Sequence, residues 1–284
     1  MTHRQSDFVG VGGLHIYWQA WLPDETPRGV VVIAHGVSEH SDRYAHVAER
    51  LTLEGYAAYA LDHRGHGHSA GPRALIDRVD NAVADIDSLV SIAAAEHPRA
   101  PVFLLGHSMG GALAVSYAMR HQQRLKGLML SGPLAALEAA PAHQRAMARL
   151  LSRLAPKLPV VSIDANLISR DSEVVDAYVQ DPRVYHGKLP IRTVAELAAA
   201  IDTFAPGVQR ITIPTLLMFG TMDQLCPPRG SVMLAENLGS EDLTAKPYQG
   251  LYHEILNEPE RDAVLDDICS WLAAHTAPVT QARG

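Results

Sequence analysis

The sequence is poor in cysteine and in positive charge, and each shortage excludes a class of protein. Only two cysteines, Cys226 and Cys269, occur in 284 residues. They are too few for a disulfide framework and lack the spacing of a zinc knuckle, so we expect two free thiols in a reducing compartment. The 24 basic and 31 acidic residues give a net charge of −7. That charge argues against a nucleic-acid partner, whose binding needs a basic surface.

Targeting and membrane-spanning signals are also absent from the sequence. The chain starts with MTHRQSD, and no apolar stretch of ~7–15 residues follows to suggest a signal peptide. No run of ~18 apolar residues occurs, so no transmembrane helix is predicted. We therefore expect a cytoplasmic protein, and a peripheral contact with a membrane stays open.

Short apolar runs alternate with helical patterns along most of the chain. Val30–Ala34 and Val102–Leu105 are continuous apolar runs, typical of strands buried on both faces, and Val79–Ala95 and Ala112–His121 have helical periodicity. This alternation predicts a mostly parallel central sheet with helices on both faces. It stops near residue 134 and resumes after residue 209. We therefore expect an α/β core, residues 1–133 and 210–284, carrying an inserted helical cap, residues 134–209.

One helix of the predicted cap is amphipathic. An apolar stripe and a basic stripe share this helix, Met147, Leu150, Leu151 and Leu154 forming the first and Arg145, Arg149 and Arg153 the second. Transient contact of the cap with a membrane surface is one interpretation. A cap helix that packs on the core and solvates its basic face is the other, and the sequence favours it.

The segment GHSMG, from Gly106 to Gly110, matches the pattern G-x-S-x-G between a predicted buried strand and a predicted helix. That is the setting of the nucleophile elbow of the α/β-hydrolase fold, a tight turn whose flanking glycines leave room for the backbone. The sequence therefore predicts an α/β-hydrolase with Ser108 as the nucleophile. His107, inside the elbow, either touches the substrate or is a core-facing hydrogen-bonded histidine.

Two backbone amides are predicted to form the oxyanion hole, because acyl transfer places negative charge on the carbonyl oxygen. Met109 follows the nucleophile, and Val37 follows the strand that runs into His35 and Gly36. Gly36 allows close approach of the backbone to the substrate. We therefore expect His35 and Gly36 to belong to the substrate-binding site.

The chain order of this fold is serine, then aspartate or glutamate, then histidine. His253 lies in a loop before the last predicted helix, whereas His275 lies at the end of that helix, where the helix dipole favours a histidine. Asp223 follows a predicted core strand. We predict that His253 takes the proton of Ser108, that Asp223 orients the imidazole, and that water then hydrolyses the acyl-enzyme.

A second histidine-rich segment, DHRGHGHS at residues 62–69, invites a metal interpretation. Its histidines lie in a glycine-rich loop without a common helix face. Turn structure and hydrogen bonding near the site are therefore predicted in place of a metal centre.

With these residues assigned, the chain resembles the monoacylglycerol lipases, above all the bacterial, mycobacterial-type members, from about Phe8 to Leu272. The resemblance is carried by six segments, AHGVSEHSDRY (34–44), LDHRGHGHS (61–69), LGHSMGG (105–111), ISRD (168–171), VDAYVQDP (175–182) and YHEILNEP (252–259). It implies cleavage of monoacylglycerol to glycerol and fatty acid, without a cofactor, under a cap that covers an apolar acyl channel.

The resemblance also implies which residues surround the glycerol end of the pocket, namely Glu39, Arg43, His107 and Tyr178. Animal members carry a further histidine three positions after the catalytic one, where this chain has Leu256. The leaving-group end is therefore expected to differ from theirs.

Two other functions stay open. A carboxylesterase or lysophospholipase of broader specificity would use the same triad and oxyanion hole, and only the cap pocket would distinguish it. A non-catalytic ligand-binding relative is the second alternative. The complete triad argues against it, because a pure binder has no need of a serine on a strained elbow.

Overall fold

A computed structural model describes residues 1–137 and 142–276, in which strands and helices alternate along much of the chain. Its strands are β1 (Thr2–Val9), β2 (His15–Leu22), β3 (Val30–Ala34), β4 (Ala57–Leu61), β5 (Val102–His107), β6 (Gly127–Ser131), β7 (Pro159–Val161), β8 (Leu189–Pro190), β9 (Thr215–Gly220) and β10 (Leu243–Tyr248). Its α-helices are α1 (Ala45–Leu53), α2 (Val79–Glu96), α3 (Met109–His121), α4 (Ala142–Leu154), α5 (Ser172–Gln180), α6 (Ile191–Ile201), α7 (Phe204–Gly207), α8 (Pro228–Asn237) and α9 (Arg261–Thr276).

Eight strands form one sheet in the order β1-β2-β4-β3-β5-β6-β9-β10. The strands from β4 to β10 in that order run parallel to one another. Strand β2 runs in the opposite direction to both of its neighbours, β1 and β4. Helices α2 and α3 pack on one face of the sheet, and α1 and α9 pack on the other. The predicted α/β-hydrolase architecture, a mostly parallel sheet with helices on both faces, is confirmed.

Strand β3 explains why a continuous apolar run suits the centre of such a sheet. Its alternate side chains enter two different cores: Val30 and Val32 pack with α2 and α3, whereas Val31 and Ile33 pack with α1 and α9. All of them are buried. Burying an aliphatic side chain contributes about 1.5–3 kcal/mol. The side chains on both faces of β3 therefore stabilise the packing of helices on the sheet, and they fix the position of the carboxyl end of β3.

The stretch between β6 and β9, residues 132–214, contributes nothing to the eight-stranded sheet among its described residues. It contains α4 to α7 and a small antiparallel pair, β7 with β8. We call it the inserted segment. The boundaries predicted from the sequence, 134 and 209, fall in the loop after β6 and in the turn before β9; residues 138–141 and 277–284 of those predicted divisions lie outside the described residues.

In the described ranges, no helix is both long enough and apolar enough to cross a lipid bilayer.

Candidate active site

Ser108 stands alone between the end of β5 and the start of α3, in the turn predicted from the sequence. Its φ of 53° lies in the left-handed region that side chains rarely adopt. The glycines beside it are required by contact: a Cβ on Gly106 would lie 2.4 Å from the Gly110 carbonyl oxygen, and one on Gly110 would lie 2.0 Å from the Ala34 carbonyl oxygen. The sharp turn therefore exists because two neighbouring positions lack side chains, and it lifts Ser108 out of the sheet.

His253 and Asp223 form a buried pair beside this turn. Asp223 follows β9, and His253 lies in the loop after β10. The Nδ1 atom of His253 donates a hydrogen bond of 2.7 Å to Asp223 Oδ2. The other carboxylate oxygen accepts the backbone N–H groups of Leu225 at 2.9 Å and Cys226 at 2.8 Å. Because both oxygens are held, the carboxylate fixes the imidazole tautomer and leaves Nε2 free to accept a proton.

The electrostatic setting favours the protonated form of His253. Burial lowers the pKa of His253, but the negative charge of Asp223 and its hydrogen bond raise it, with smaller contributions from Glu254 and Glu39. The net pKa is raised above its ordinary value of 6.5. A base with this pKa accepts a proton readily and stabilises the imidazolium that results.

The serine hydroxyl does not reach the imidazole in this conformation. Ser108 Oγ lies 3.8 Å from the Sγ atom of Cys226, and between Ser108 and His253, both described, there is no hydrogen bond. Catalytic hydrogen bonds are often long without substrate and tighten in the complex. The absence of this bond between the described side chains is therefore compatible with a catalytic pair.

The two amides predicted for the oxyanion hole belong to residues near Ser108: Met109 follows it in the chain, and Val37 follows Gly36, which packs against it. Met109 is the first residue of α3, and the first N–H groups of a helix have no partner within it. The N–H of Val37 donates to no other group in the described ranges. Between them, Gly36 approaches the serine so closely that a Cβ there would lie 3.1 Å from the Ser108 Cβ. Both amides are thus available to a substrate oxygen.

A buried charge network anchors the loop that carries Val37. Glu39 accepts the Gly36 N–H at 2.6 Å, the Tyr44 hydroxyl at 2.7 Å and Arg43 Nη1 at 2.6 Å. Arg43 also forms a bidentate pair with Glu254, with both N–O distances 2.7 Å. Burial raises the pKa of Glu39, yet Arg43 and the nearby histidines bring it to about 2. Glu39 is therefore ionised at neutral pH.

A cavity lined by Ser108 contains about 840 Å³ of space, including its opening to solvent. Its floor is polar, with Gly36, Glu39, His107, Tyr178, His253 and Glu254 lining it around the serine. Its walls are apolar and come mostly from the inserted segment, with Leu134, Leu137, Val161, Ile163, Ile168, Leu189, Val194 and Leu197. The site thus joins a charged end to a channel suited to hydrocarbon.

Four of the six residues predicted to contact substrate line this cavity, Gly36, Glu39, His107 and Tyr178. The other two lie behind its wall. His35 is fully buried and its Nδ1 donates to the Gly36 carbonyl at 2.6 Å. The Arg43 guanidinium lies 4.8 Å from the centre of the Tyr178 ring. For these two, the geometry indicates support of the site without substrate contact.

His107 combines the two roles that the sequence left open. It lines the cavity, and its Nδ1 donates to the Ser131 carbonyl at 2.9 Å. Burial and the nearby positive charge of His253 lower its pKa to about 4. His107 is therefore neutral, with its second ring nitrogen able to accept a hydrogen bond.

Two of the three histidines of the glycine-rich loop, His63 and His66, pack against His35, whereas the third, His68, is exposed. The rings of His35 and His63 lie 4.4 Å apart and those of His35 and His66 lie 5.4 Å apart, all fully buried. Their pKa values are lowered by burial, that of His66 to about 3. Across the described residues, no group of three or more histidine, cysteine or carboxylate side chains is arranged to hold a metal ion.

Sequence reasoning missed two residues of the site. Glu254 follows His253 directly, a position that could have drawn notice as the only acidic neighbour of the base. Cys226 contacts the serine because Asp223 caps the turn that contains it. No sequence pattern signals that contact.

The fold and the site together define an α/β-hydrolase, an enzyme of the lipase and esterase type. The family model described as serine aminopeptidase, S33 (Hydrolase_4) matches residues 25–260, and the chain belongs to this family. A monoacylglycerol lipase of Mycolicibacterium smegmatis is 44% identical over 280 residues, which cover 96% of this chain and 98% of that protein. A monoglyceride lipase of Rattus norvegicus is 34% identical, covering 97% and 92%.

Solved structures agree with this relationship. The crystal structure of the Paleococcus ferrophilus monoacylglycerol lipase matches with a TM-score of 0.81 and 32% identity, covering 97% of this chain and all of that chain, 100%. The resemblance to monoacylglycerol lipases predicted from the sequence is confirmed.

Proposed function

We propose that this enzyme hydrolyses monoacylglycerol to glycerol and a fatty acid, with Ser108 as nucleophile, His253 as base and Asp223 as its orienting carboxylate. The observation that carries the proposal is the His253–Asp223 pair beside an elbow serine, at the floor of an apolar channel. His253 removes the hydroxyl proton as Ser108 attacks the ester carbonyl, then returns it to the departing glycerol, which leaves an acyl-enzyme. A water molecule, deprotonated by His253, then attacks the acyl carbonyl; the Ser108–acyl bond breaks, the proton returns to Ser108 and the fatty acid leaves. The amides of Val37 and Met109 hold the oxyanion.

The inserted segment is proposed to be the cap of this enzyme. Its side chains supply most of the apolar wall, and such a wall gains roughly 0.8 kcal/mol for each methylene it buries. A cavity of about 840 Å³, its opening to solvent included, is small for a lipid with three long acyl chains. Monoacylglycerol should therefore be preferred over triacylglycerol, and long acyl chains over acetyl.

The charges at the polar end favour a neutral head group over a phosphate. Glu39 and Glu254 line the cavity, and the one cation between them, Arg43, is already paired with both. A phosphate brought here would face two carboxylates and no unpaired cation within the described part of the network. This argues for monoacylglycerol and against an anionic lysophospholipid.

A transient contact of α4 with a membrane surface is also proposed. Met147, Leu150 and Leu154 on this helix are 57%, 53% and 74% exposed. Val161, elsewhere in the inserted segment, is 42% exposed and lines the cavity, so apolar side chains are exposed at the cavity as well. Arg149 and Arg153 supply the basic face; the side chain of Arg145 lies outside the described ones. This combination suits the surface of an anionic lipid bilayer.

The decisive experiment compares kcat/KM for monoolein, triolein and oleoyl lysophosphatidic acid, all dispersed in the same detergent. We expect monoolein to exceed each of the others by at least tenfold. Equal or higher efficiency on triolein would leave only a general lipase, and equal efficiency on the lysophospholipid would favour the broader alternative. A Ser108→Ala variant, expected to lose about 10⁶-fold in rate, is the control for contaminating esterase.

A further inference from the structure

The loop that carries His253 is held from both sides by hydrogen bonds that do not involve Asp223. Before the histidine, the N–H of Tyr252 donates to Glu258 Oε1 at 2.8 Å. After it, the N–H of Glu254 donates to the carbonyl of Ile168 at 2.7 Å. The Leu251–Tyr252 peptide, one residue before His253, and the His253–Glu254 peptide directly after it are therefore both held, the second by the inserted segment itself.

Glu258 is in turn tied to the inserted segment. Its side chain is fully buried, and Arg170 donates to it twice, from the backbone N–H to Oε1 at 3.3 Å and from Nε to Oε2 at 2.9 Å. Next to Arg170, the Ser169 hydroxyl donates to the Asn257 carbonyl at 3.0 Å. Residues 168–170 thus form a clasp on the histidine loop.

We propose that Glu258 is a positioning residue for His253 and that Arg170 completes the clasp, so that docking of the inserted segment sets the place of the catalytic base. A buried carboxylate is stable only with its partners in place. Loss of either partner should release the Tyr252 peptide and let the imidazole shift from Asp223. Misplacement of a catalytic group by about 1 Å can cost about 10²-fold in rate.

This proposal rests on the proposed role of His253 as base, and the experiment separates the two. Turnover is measured per active site, titrated with a fluorophosphonate that reacts with Ser108, so that misfolded protein does not count. We expect Glu258→Ala to lower kcat about 10²-fold with KM changed less than threefold. Glu258→Gln keeps an oxygen for the Tyr252 N–H. Its kcat should therefore be at least tenfold higher than that of Glu258→Ala.

The pH profile supplies a readout that a merely structural role would not move. Because the raised pKa of His253 depends on contact with Asp223, the acid limb of kcat/KM should shift to lower pH in Glu258→Ala and in Arg170→Ala. Glu260→Gln is the matched control: Glu260 is half exposed and pairs with Arg170 from outside the clasp, so it should leave kcat and the profile unchanged.

Wild-type kcat per titrated site and an unmoved acid limb in Glu258→Ala would overturn the proposal, as would an equal loss in Glu260→Gln. Should Glu258→Ala fail to fold, Glu258→Gln and Arg170→Lys carry the same test with smaller expected losses, and wild-type behaviour of both would overturn it. His253→Ala, assayed in parallel, tests the base itself: turnover retained there would contradict the proposed function and the clasp with it, whereas wild-type behaviour of the Glu258 variants beside an inactive His253→Ala would overturn the clasp alone.

Discussion

The carboxylate of Asp223 has two tasks that a substitution can separate. Asn at 223 keeps an oxygen for the N–H groups of Leu225 and Cys226 but presents an NH₂ group to His253 Nδ1, which forces the unproductive tautomer. We expect Asp223→Asn to lose about 10⁴-fold in kcat with little loss of stability.

A matched control for that variant is present in the same chain. His275 and Asp242 form another histidine–aspartate pair, at 3.0 Å, away from the cavity and exposed at the carboxylate. Asp242→Asn and His275→Ala should leave turnover of monoolein nearly unchanged. Equal losses in the two asparagine variants would contradict the assignment of Asp223.

The backbone of Ser108 stores strain that a second pair of variants should reveal. A side chain at φ 53° costs about 1–3 kcal/mol, whereas glycine adopts this region freely. At an ordinary position, glycine is less stable than alanine by about 0.5–1 kcal/mol. Here we expect the order to reverse, with Ser108→Gly more stable than Ser108→Ala by about 1 kcal/mol in urea unfolding and both variants inactive. Greater stability of Ser108→Ala would mean that the turn is unstrained.

At the residue scale, the sequence was informative where a residue's type and its place on an element together imply a role. Ser108, Asp223 and His253 each follow a strand, and the ends of parallel strands meet at one edge of the sheet. Burial was harder to predict: nothing in the sequence indicates that His35 and Arg43 lie behind the wall. Which of two neighbouring polar residues faces a cavity depends on packing from distant parts of the chain.

At the scale of elements, strands with a periodic or continuous apolar pattern were predicted, whereas β1, β7 and β8 were not. The eight residues of β1 pair along their whole length with β2, yet their side chains are almost all exposed, so the strand carries no alternation of apolar residues. Strands β7 and β8 are three and two residues long, too short for any periodic pattern. These three strands are held by backbone hydrogen bonds, which leave no pattern of apolar side chains in the sequence.

Helix α4 offers the element-scale prediction. If it contacts lipid, a charge at Leu154 should weaken that contact, because burial of a leucine side chain is worth about 1.5–3 kcal/mol. We expect Leu154→Glu to lower kcat/KM about tenfold for monoolein in anionic vesicles and to leave hydrolysis of a soluble short-chain ester unchanged.

Leu53 provides the control for that experiment. It is an equally unusual exposed leucine, 84% exposed at the end of α1, and it does not line the cavity. Leu53→Glu should change neither activity. A Leu154→Glu variant that retained full activity on vesicles would remove the membrane contact and leave α4 as a solvated cap helix.

At the scale of the whole molecule, buried neutral histidines link stability to pH. Four of them, His35, His63, His66 and His107, have pKa values below the ordinary 6.5 because burial disfavours the charged form. In the unfolded chain they take up protons as the pH falls through ~6.5, whereas in the folded protein they do not. Each of these histidines therefore lowers the free energy of unfolding by about 1.4 kcal/mol per pH unit below ~6.5.

Two groups act in the opposite direction. The raised pKa of His253 and that of Asp85, raised by burial to about 6, make the folded protein bind protons more readily than the unfolded chain there. Glu39, whose pKa is about 2, contributes stability that is lost only as the pH falls below its unfolded value, near ~4.5. The less buried His46 and His97 also have lowered pKa values and act in the same direction as the four. The interval between pH 7 and 5.5 therefore reports mainly on histidines whose pKa is lowered by burial.

We expect the free energy of unfolding in urea to fall by about 2–4 kcal/mol between pH 7 and 5.5. His66→Gln replaces one titrating side chain with an uncharged one. The free energy of unfolding should then depend less steeply on pH, by about 1.4 kcal/mol per pH unit at the acid end of this interval. A free energy of unfolding that stays constant over this interval would contradict the assignment of these buried histidines as neutral. So would a pH dependence that is unaltered in His66→Gln. Activity is expected to fall over the same range as His253, the proposed base, becomes protonated. Unfolding must therefore be followed by a structural signal such as circular dichroism, which separates loss of fold from loss of activity.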